Sequence, residues 1–368
     1  MKQNMGRGLV AFICMILCSI SLFGCQRRES PEDFLKSQLD LVTSSQSDYC
    51  SRLLEEQLET DGIDDFPDEL VDAYTSFLRE AYGQIKYEIT GTREDSGTWE
   101  ITLDVSVLDL GATVETINSE YVKNMQSDNL ATEVKELLVL DQDQLAQPVY
   151  ASDVTLRVNV TWDEEADSYT VDDSGFMNLL ETAVTDRLAT YNSVAELFDI
   201  RDYVVSCLDA AYKGEFDEYT KQTGMTEEQA SQDYENSFWD SEMDSAGFSD
   251  AEKEQLITAM KEIAKSADYT VGLPVKDDDG NYSLQVTGTA CLSFRQALED
   301  VNSAIENGSV QDEAALRALF VETFQNYAKN PVWGDAYTAT VHVVSSDGFS
   351  LSLSEEDSQS LMDQIMPQ

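Results

Sequence analysis

The sequence predicts an α+β protein made of two tandem copies of an antiparallel-sheet domain with helices packed on one face. Three observations lead there: apolar–polar alternation of strand period, apolar stripes of helical period, and the recurrence of both further along the chain. Gly97-Thr98-Trp99 recurs as Gly280-Asn281-Tyr282, and Pro148-Val149-Tyr150 as Pro331-Val332-Trp333, each displaced by 183 residues. A register held over about fifty residues marks a repeated supersecondary unit. With small insertions, Leu39-Asp40 and Asp48-Tyr49 answer to Leu208-Asp209 with Asp217 and Tyr219, and Tyr169-Thr170-Val171 to Phe349-Ser350-Leu351.

Ahead of the first copy lies a leader. Lys2 and Arg7 form a positive start, and Leu9 to Phe23 is apolar except for Ser19 and Ser21. The run is too short, and too soon followed by Gln26-Arg27-Arg28-Glu29-Ser30, for a membrane span. Leu22-Phe23-Gly24-Cys25 reads as a lipobox, although Phe23 is bulkier than the usual residue there. The rival, an ordinary secretory peptide, would want a small-x-small site where Leu22 stands. The expectation is a signal peptide over 1–24 and a lipidated tether over 25–30. Two acyl chains on Cys25 suffice for stable anchoring at the extracytoplasmic face of the cell membrane.

The first copy spans 31–187. Ser30-Pro31 is an N-cap followed by proline at the first helical position. Val71, Tyr74, Leu78, Ala81 and Ile85 step by three and four, an amphipathic helix. The period then drops to two. A strand over Tyr87–Thr92 leads through a polar turn to Trp99, Ile101, Leu103, Val105 and Val107, which alternate with polar residues as in a half-buried strand. Helical spacing returns at Leu110, Val114, Ile117 and Tyr121, and a second helix follows. Val154, Leu156, Val158, Val160 and Trp162 open another hairpin, and Ser174–Val184 is a closing helix.

The second copy, 193–368, repeats this order: Leu256, Ala259, Met260, Ile263 and Ala267 on a helix, a strand from Tyr269 to Val275, then Tyr282, Leu284 and Val286. Phe294, Leu298, Val301 and Ile305 give the next helix, Tyr337, Ala339, Val341 and Val343 the next strand, and Glu355–Met366 the last helix. Each copy thus reads α–α–β–β–α–α–β–β–α. Thr226-Glu227-Glu228-Gln229 and Ser249-Asp250-Ala251-Glu252 have the capping-box pattern. Between Thr223 and Phe248 the second copy carries a very acidic insertion with little apolar periodicity, read as a solvated loop or loosely held helix. The boundary near Arg187 to Ser193 has no Gly/Pro linker, so the domains are expected to abut.

The Cys25 lipobox, the helix end Tyr212-Lys213-Gly214-Glu215-Phe216-Asp217-Glu218-Tyr219, and the turn Asp95-Ser96-Gly97-Thr98-Trp99 entering an alternating strand carry a resemblance. The chain resembles the surface lipoproteins of Gram-positive bacteria that contain duplicated α+β domains of unknown function. That likeness implies an anchored, extracytoplasmic protein and assigns no catalytic residue. A looser likeness to NTF2-like or cystatin-like folds rests on element order alone.

At 42% apolar residues the chain can fill packed cores, which excludes wholesale disorder. Its charge is extreme. Once Lys2 and Arg7 leave with the leader, 21 basic residues face 71 acidic ones, for a net −50. Such a field repels nucleic acid and anionic membranes and attracts basic proteins or diffuse divalent cations. Solubility on a crowded cell surface also explains it. Cys14 and Cys18 leave with the leader and Cys25 takes the lipid, so Cys50, Cys207 and Cys291 remain, without a CxxC. They read as buried free thiols, with a Cys207–Cys291 pair as the alternative.

The search for chemistry ends without a signature. His342 is the sole histidine and is expected on the wet or inter-domain face of its strand, where a His–Asp dyad would be the enzymatic reading and an ordinary strand residue the other. No G-x-S-x-G, H-E-x-x-H, P-loop or dinucleotide glycine pattern occurs, so no cofactor is expected. Asp277, Asp278 and Asp279 before Gly280 invite a calcium reading but lack the alternating ligands and distal glutamate of an EF-hand, and a β-turn explains them. Trp99, Trp162 and Trp333 are expected on or beside apolar strand faces, packed into the cores, with a sugar-stacking platform as the alternative. Phe238-Trp239, inside the acidic insertion, either docks a basic partner or tucks back onto the domain. The expected function is a non-enzymatic binding or spacer module of the cell envelope. The alternative is an NTF2-like hydrolase or isomerase with a carboxylate acid–base pair in a sheet–helix cavity.

Overall fold

The computed structural model describes residues 29–125, 127–239, 243, 246–277, 281–345 and 351–367. The signal peptide, Cys25, and two of the three aspartates, Asp278 and Asp279, lie outside the described residues. The first copy runs α1 (Pro31–Val42), α2 (Tyr49–Asp61), α3 (Asp68–Tyr82), β1 (Lys86–Asp95), β2 (Thr98–Asp109), α4 (Leu110–Tyr121), α5 (Leu130–Gln144), β3 (Val149–Asp163), β4 (Ser168–Val171), α6 (Asp173–Ala183) and β5 (Val184–Thr185). The second runs α7 (Ala189–Leu208), α8 (Asp217–Thr223), α9 (Glu227–Ser237), α10 (Asp250–Ala264), β6 (Thr270–Val271), β7 (Val275–Lys276), β8 (Tyr282–Cys291), α11 (Ser293–Glu306), α12 (Glu313–Lys329), β9 (Trp333–Ser345), β10 (Leu351–Leu353) and α13 (Glu355–Ile365). The fold is α+β with two antiparallel-paired sheets, as the alternation requires.

By packing, the chain divides into two units. One holds the residues up to Thr113 together with Gln144–Arg187, the other Val114–Asp143 together with the residues from Leu188 onward. In the first unit the sheet order is β1-β2-β3-β4, with β5 added in parallel beside the end of β2. Ser96 and Gly97 both have positive φ, 54° and 85°, the conformation that closes a two-residue hairpin between β1 and β2. Ile101, Leu103, Val158 and Val160 are fully buried on the inner face. The helix α3 buries Leu70, Tyr74, Phe77, Leu78 and Ala81, whereas Val71 is 38% exposed. Tyr74, Leu78 and Ala81 thus hold the expected stripe, while Leu70 takes the inward place expected of Val71 and Ile85 lies beyond the helix end. The additional helix α2 buries Cys50, Leu53 and Leu54, too short an apolar repeat to stand out in a polar segment, and Gly62 ends it at φ 68°.

In the second unit the order is β10-β9-β8-β6, with β7 also paired to β8. The strand expected over Tyr269–Val275 is split into β6 and β7, because Pro274 interrupts the ladder. Ile101 pairs with Val158 in one sheet and Leu284 with Val341 in the other, each partner displaced by 183 residues. The register shift recurs too, between Ser106 and Leu108 and between Thr289 and Cys291. Duplication in sequence is thus duplication of strand register, irregularity included. Of the apolar stripe expected on α11, Val301 is fully buried, whereas Leu298 and Ile305 are 39% and 46% exposed and Ala297 turns inward in their place. The capping boxes at Thr226 and Ser249 are formed, and Ser30 caps α1.

Candidate binding cleft

The second unit contains an aromatic cleft of about 520 Å³. Its wall begins in α7, which runs into a π-helical turn over Asp209–Lys213, a local widening frequent at functional sites. Gly214 ends the turn at φ 69°, and a Cβ there would lie 2.9 Å from the Tyr234 ring. Glycine is therefore required twice, by the backbone and by the close approach of α9. Tyr203, Tyr212, Phe216, Tyr219 and Tyr234 line the cleft, together with Cys207. Tyr234 donates its hydroxyl to the Tyr212 carbonyl at 3.2 Å and packs edge-on against Phe216.

The cleft exists because the second copy fills this place poorly. In the first copy α1 is followed by α2, which buries Cys50, Leu53 and Leu54. In the second, α7 is followed by α8, which buries none of its residues, and α9, which buries Ala230 alone. The acidic insertion is thus a capped helix, with apolar residues too few to close over the tyrosines.

Among the described lining residues Asp233 is the one charged group, and it is exposed at the rim. The Tyr212 hydroxyl is buried without a hydrogen-bond partner, and burial raises its pKa. The Cys207 thiol is half-buried, and burial pushes it up to about 11. Burial thus favours the neutral thiol and neutral phenols over thiolate and phenolate in this cleft.

A smaller polar cleft of about 300 Å³ in the same unit is lined by Asn118, Ser193, Glu196 and Lys276 among others. Lys276 Nζ sits 2.8 Å from Glu196, which also accepts from the Tyr282 hydroxyl. Behind Asn118 lies Asp141, fully buried, accepting from Thr190 Oγ1 at 2.6 Å. Turned toward it, the Asn118 amide nitrogen reaches the two carboxyl oxygens at 3.1 and 3.2 Å, while its oxygen accepts from Ser193 Oγ at 3.1 Å. Burial pushes the Asp141 pKa up to about 7 against the opposing pull of the Thr190 hydroxyl.

The remaining residues singled out in the sequence are scattered. Phe238 is 8% exposed, and Trp239 packs on Phe248 with Lys253 Nζ 4.3 Å from its ring centroid. Of their two readings, tucking back onto the domain is the one seen. Asp277 Oδ1 accepts from the Asn281 backbone N–H at 2.8 Å. Among the described residues, no group of three or more His, Cys, Asp or Glu is placed to hold a metal ion. His342 does pair with an aspartate: Nδ1 lies 3.0 Å from Asp357 Oδ2, which also accepts from the His342 backbone N–H. The histidine side chain is 58% exposed. Burial acts to raise the Asp357 pKa, but hydrogen bonds from Ser354 and His342 outweigh it and hold it low. Neither residue lines the aromatic cleft.

Cys50, Cys207 and Cys291 are free, with Cys207 only half-buried rather than fully so. Trp99 and Trp162 pack edge-on against Tyr169, as expected, but Trp333 is 47% exposed, a correction to its core assignment. It pairs with Cys291 just past the register shift of β8, which carries it off the alternation followed by Ala339, Val341 and Val343. Glu56 is half-buried beside Glu181, and burial and that neighbour raise its pKa. Neither glutamate lines the aromatic or the polar cleft.

The sequence offered one signal for the cleft, the aromatic spacing of Tyr212, Phe216 and Tyr219, and none for the buried Asp141. No family model matches the chain, and no curated protein matches it. A solved structure from Bacillus subtilis, described as a "putative lipoprotein (ycdA)", is 11% identical over 77% of this chain and 97% of that one, with a TM-score of 0.37. A likeness that slight carries no argument about fold or function.

Proposed function

We propose that this protein is a lipid-anchored extracytoplasmic lipoprotein acting as a non-enzymatic binding module, with the aromatic cleft of its second unit as the ligand site. The cleft carries the binding half of the reading. Its volume, about 520 Å³, falls in the range of small-molecule sites, and tyrosine rings with few polar groups are the usual lining. The anchoring half rests on Leu22-Phe23-Gly24-Cys25. The basic partner and the diffuse divalent cations belong to the acidic surface as a whole.

Two measurements test the two halves. Cys25→Ala should abolish incorporation of labelled lipid and release the chain to the medium; a variant that stays on the membrane overturns the anchor. For the cleft, the full-length anchored chain is treated with N-ethylmaleimide at pH 8.5 and followed by peptide mass spectrometry. Cys207 should react while Cys50 and Cys291, at 1% and 0% exposure, stay protected. Because burial holds the Cys207 thiol largely neutral at pH 8.5, the alkylation is repeated at pH 10, where more thiolate forms. Cys207 as inert as Cys50 and Cys291 at both pH values would mean a cleft closed to small molecules, and the binding reading would fall.

A further inference from the structure

We propose that the aromatic cleft takes an organic ammonium ion, held by its tyrosine faces and by the Asp233 carboxylate. This rests on the binding reading above and assigns its ligand class.

The lining excludes anions first. Asp233 is its one charged residue among those described, and no lysine or arginine offsets it. The helices that bound it begin with acids: Asp217 and Glu218 in the first turn of α8, Glu227 and Glu228 in that of α9. A carboxylate or phosphate ligand would enter against this field, and a net charge of −48 strengthens the bias at long range. A neutral ligand would gain nothing from it. A cation gains twice, from the carboxylate and from the negative faces of aromatic rings.

The rings around the cleft already serve cations. Lys261 Nζ lies 5.5 Å from the Tyr234 centroid, and Lys213 Nζ lies 4.6 Å from that of Tyr269, which neighbours Tyr212. Both lysines are also paired with acids, Lys261 with Glu235 at 3.1 Å and Lys213 with Asp209 at 2.7 Å. Ring plus carboxylate around an ammonium group is thus the local pattern. Tyr219, Tyr203 and Asp233 offer the same two components with no lysine over their rings among the contacts described. A quaternary or tertiary ammonium suits them best, because its charge is diffuse and costs little to desolvate.

The test reads protection of Cys207, which lines the same cleft. The full-length anchored chain is alkylated with N-ethylmaleimide in the presence of choline, of its neutral isostere 3,3-dimethylbutan-1-ol, or of phosphocholine. Choline should slow Cys207 alkylation at a concentration about tenfold or more below that needed by the neutral isostere. Phosphocholine, which stands for an ammonium carried on a lipid or polymer headgroup, should protect more weakly than choline, because its phosphate meets the acidic rim. Asp233→Asn, an exposed change, and Tyr219→Leu should each weaken protection by choline several-fold. Equal protection by choline and its isostere would overturn the ammonium assignment and leave the cleft standing as an apolar site. So would stronger protection by phosphocholine, or reactive Cys207 that no probe protects. A Cys207 that stays as inert as Cys50 and Cys291 when the alkylation is repeated at pH 10 refutes the cleft itself.

Discussion

Asp141→Asn isolates the one fully buried aspartate among the described residues of the second unit. The carboxyl has no basic partner within its hydrogen-bond shell, only the Thr190 hydroxyl and the Asn118 amide. Raising its pKa from 3.8 to about 7, at about 1.4 kcal/mol per pH unit, corresponds to about 4 kcal/mol lost once it ionises. Below pH 3.8 the group is protonated in folded and unfolded chains alike, and its stabilising contribution is complete. As pH rises toward 7 the unfolded chain gives up the proton while the folded chain keeps it, so stability falls through this window and levels off above it.

An asparagine at 141 has no proton to lose. Its carbonyl can accept from Thr190 and its amide donate to the Asn118 oxygen, with the Asn118 nitrogen turned to Ser193 Oγ, 3.1 Å away. Urea unfolding of both proteins from pH 4 to pH 8, at matched ionic strength, supplies the comparison. Other carboxylates cancel in the difference, and the variant should gain about 3–4 kcal/mol on the native protein across this range. A difference that stays flat with pH would refute the reasoning, because Asp141 would then be solvated or compensated in the folded chain.

Three further outcomes are expected. Gly288→Ala places a Cβ 2.0 Å from the Asp268 carbonyl oxygen, so the backbone must move; melting should show a loss of more than about 2 kcal/mol, while exposed Thr287→Ala should be near neutral. Thr226→Ala removes the capping box of α9, where the hydroxyl accepts from Gln229 N–H at 3.2 Å; hydrogen exchange in α9 should speed up about fivefold, for a cap of about 1 kcal/mol. The melting temperature of the whole chain should rise with NaCl, and further with millimolar Ca²⁺ through many weak sites. Calorimetry that finds one tight stoichiometric Ca²⁺ site would overturn the diffuse picture and return attention to Asp277–Asp279.

Sequence alone determined the long strands and several helix starts. Alternation over Ile101, Leu103 and Val105 and over Leu284 and Val286 is a local signal, because neighbours on a strand point to opposite faces whatever they pack against. The 183-residue recurrence told which positions of the two copies correspond, and caps at Ser30, Thr226 and Ser249 need only residues three apart. Tertiary structure decided what depends on partners distant in the chain. It buried Asp141 on a helix whose charged and apolar residues show no clean stripe, and grouped Val114–Asp143 with the second unit although that segment lies inside the first repeat. It put Val105 at one site of a sheet and Gly288 at the equivalent site of the other, where the Asp268 backbone crosses closely. It also left the aromatic cleft open. A cavity is what α8 and α9 fail to fill, and no local pattern in a sequence records the side chains that are missing from a distant wall.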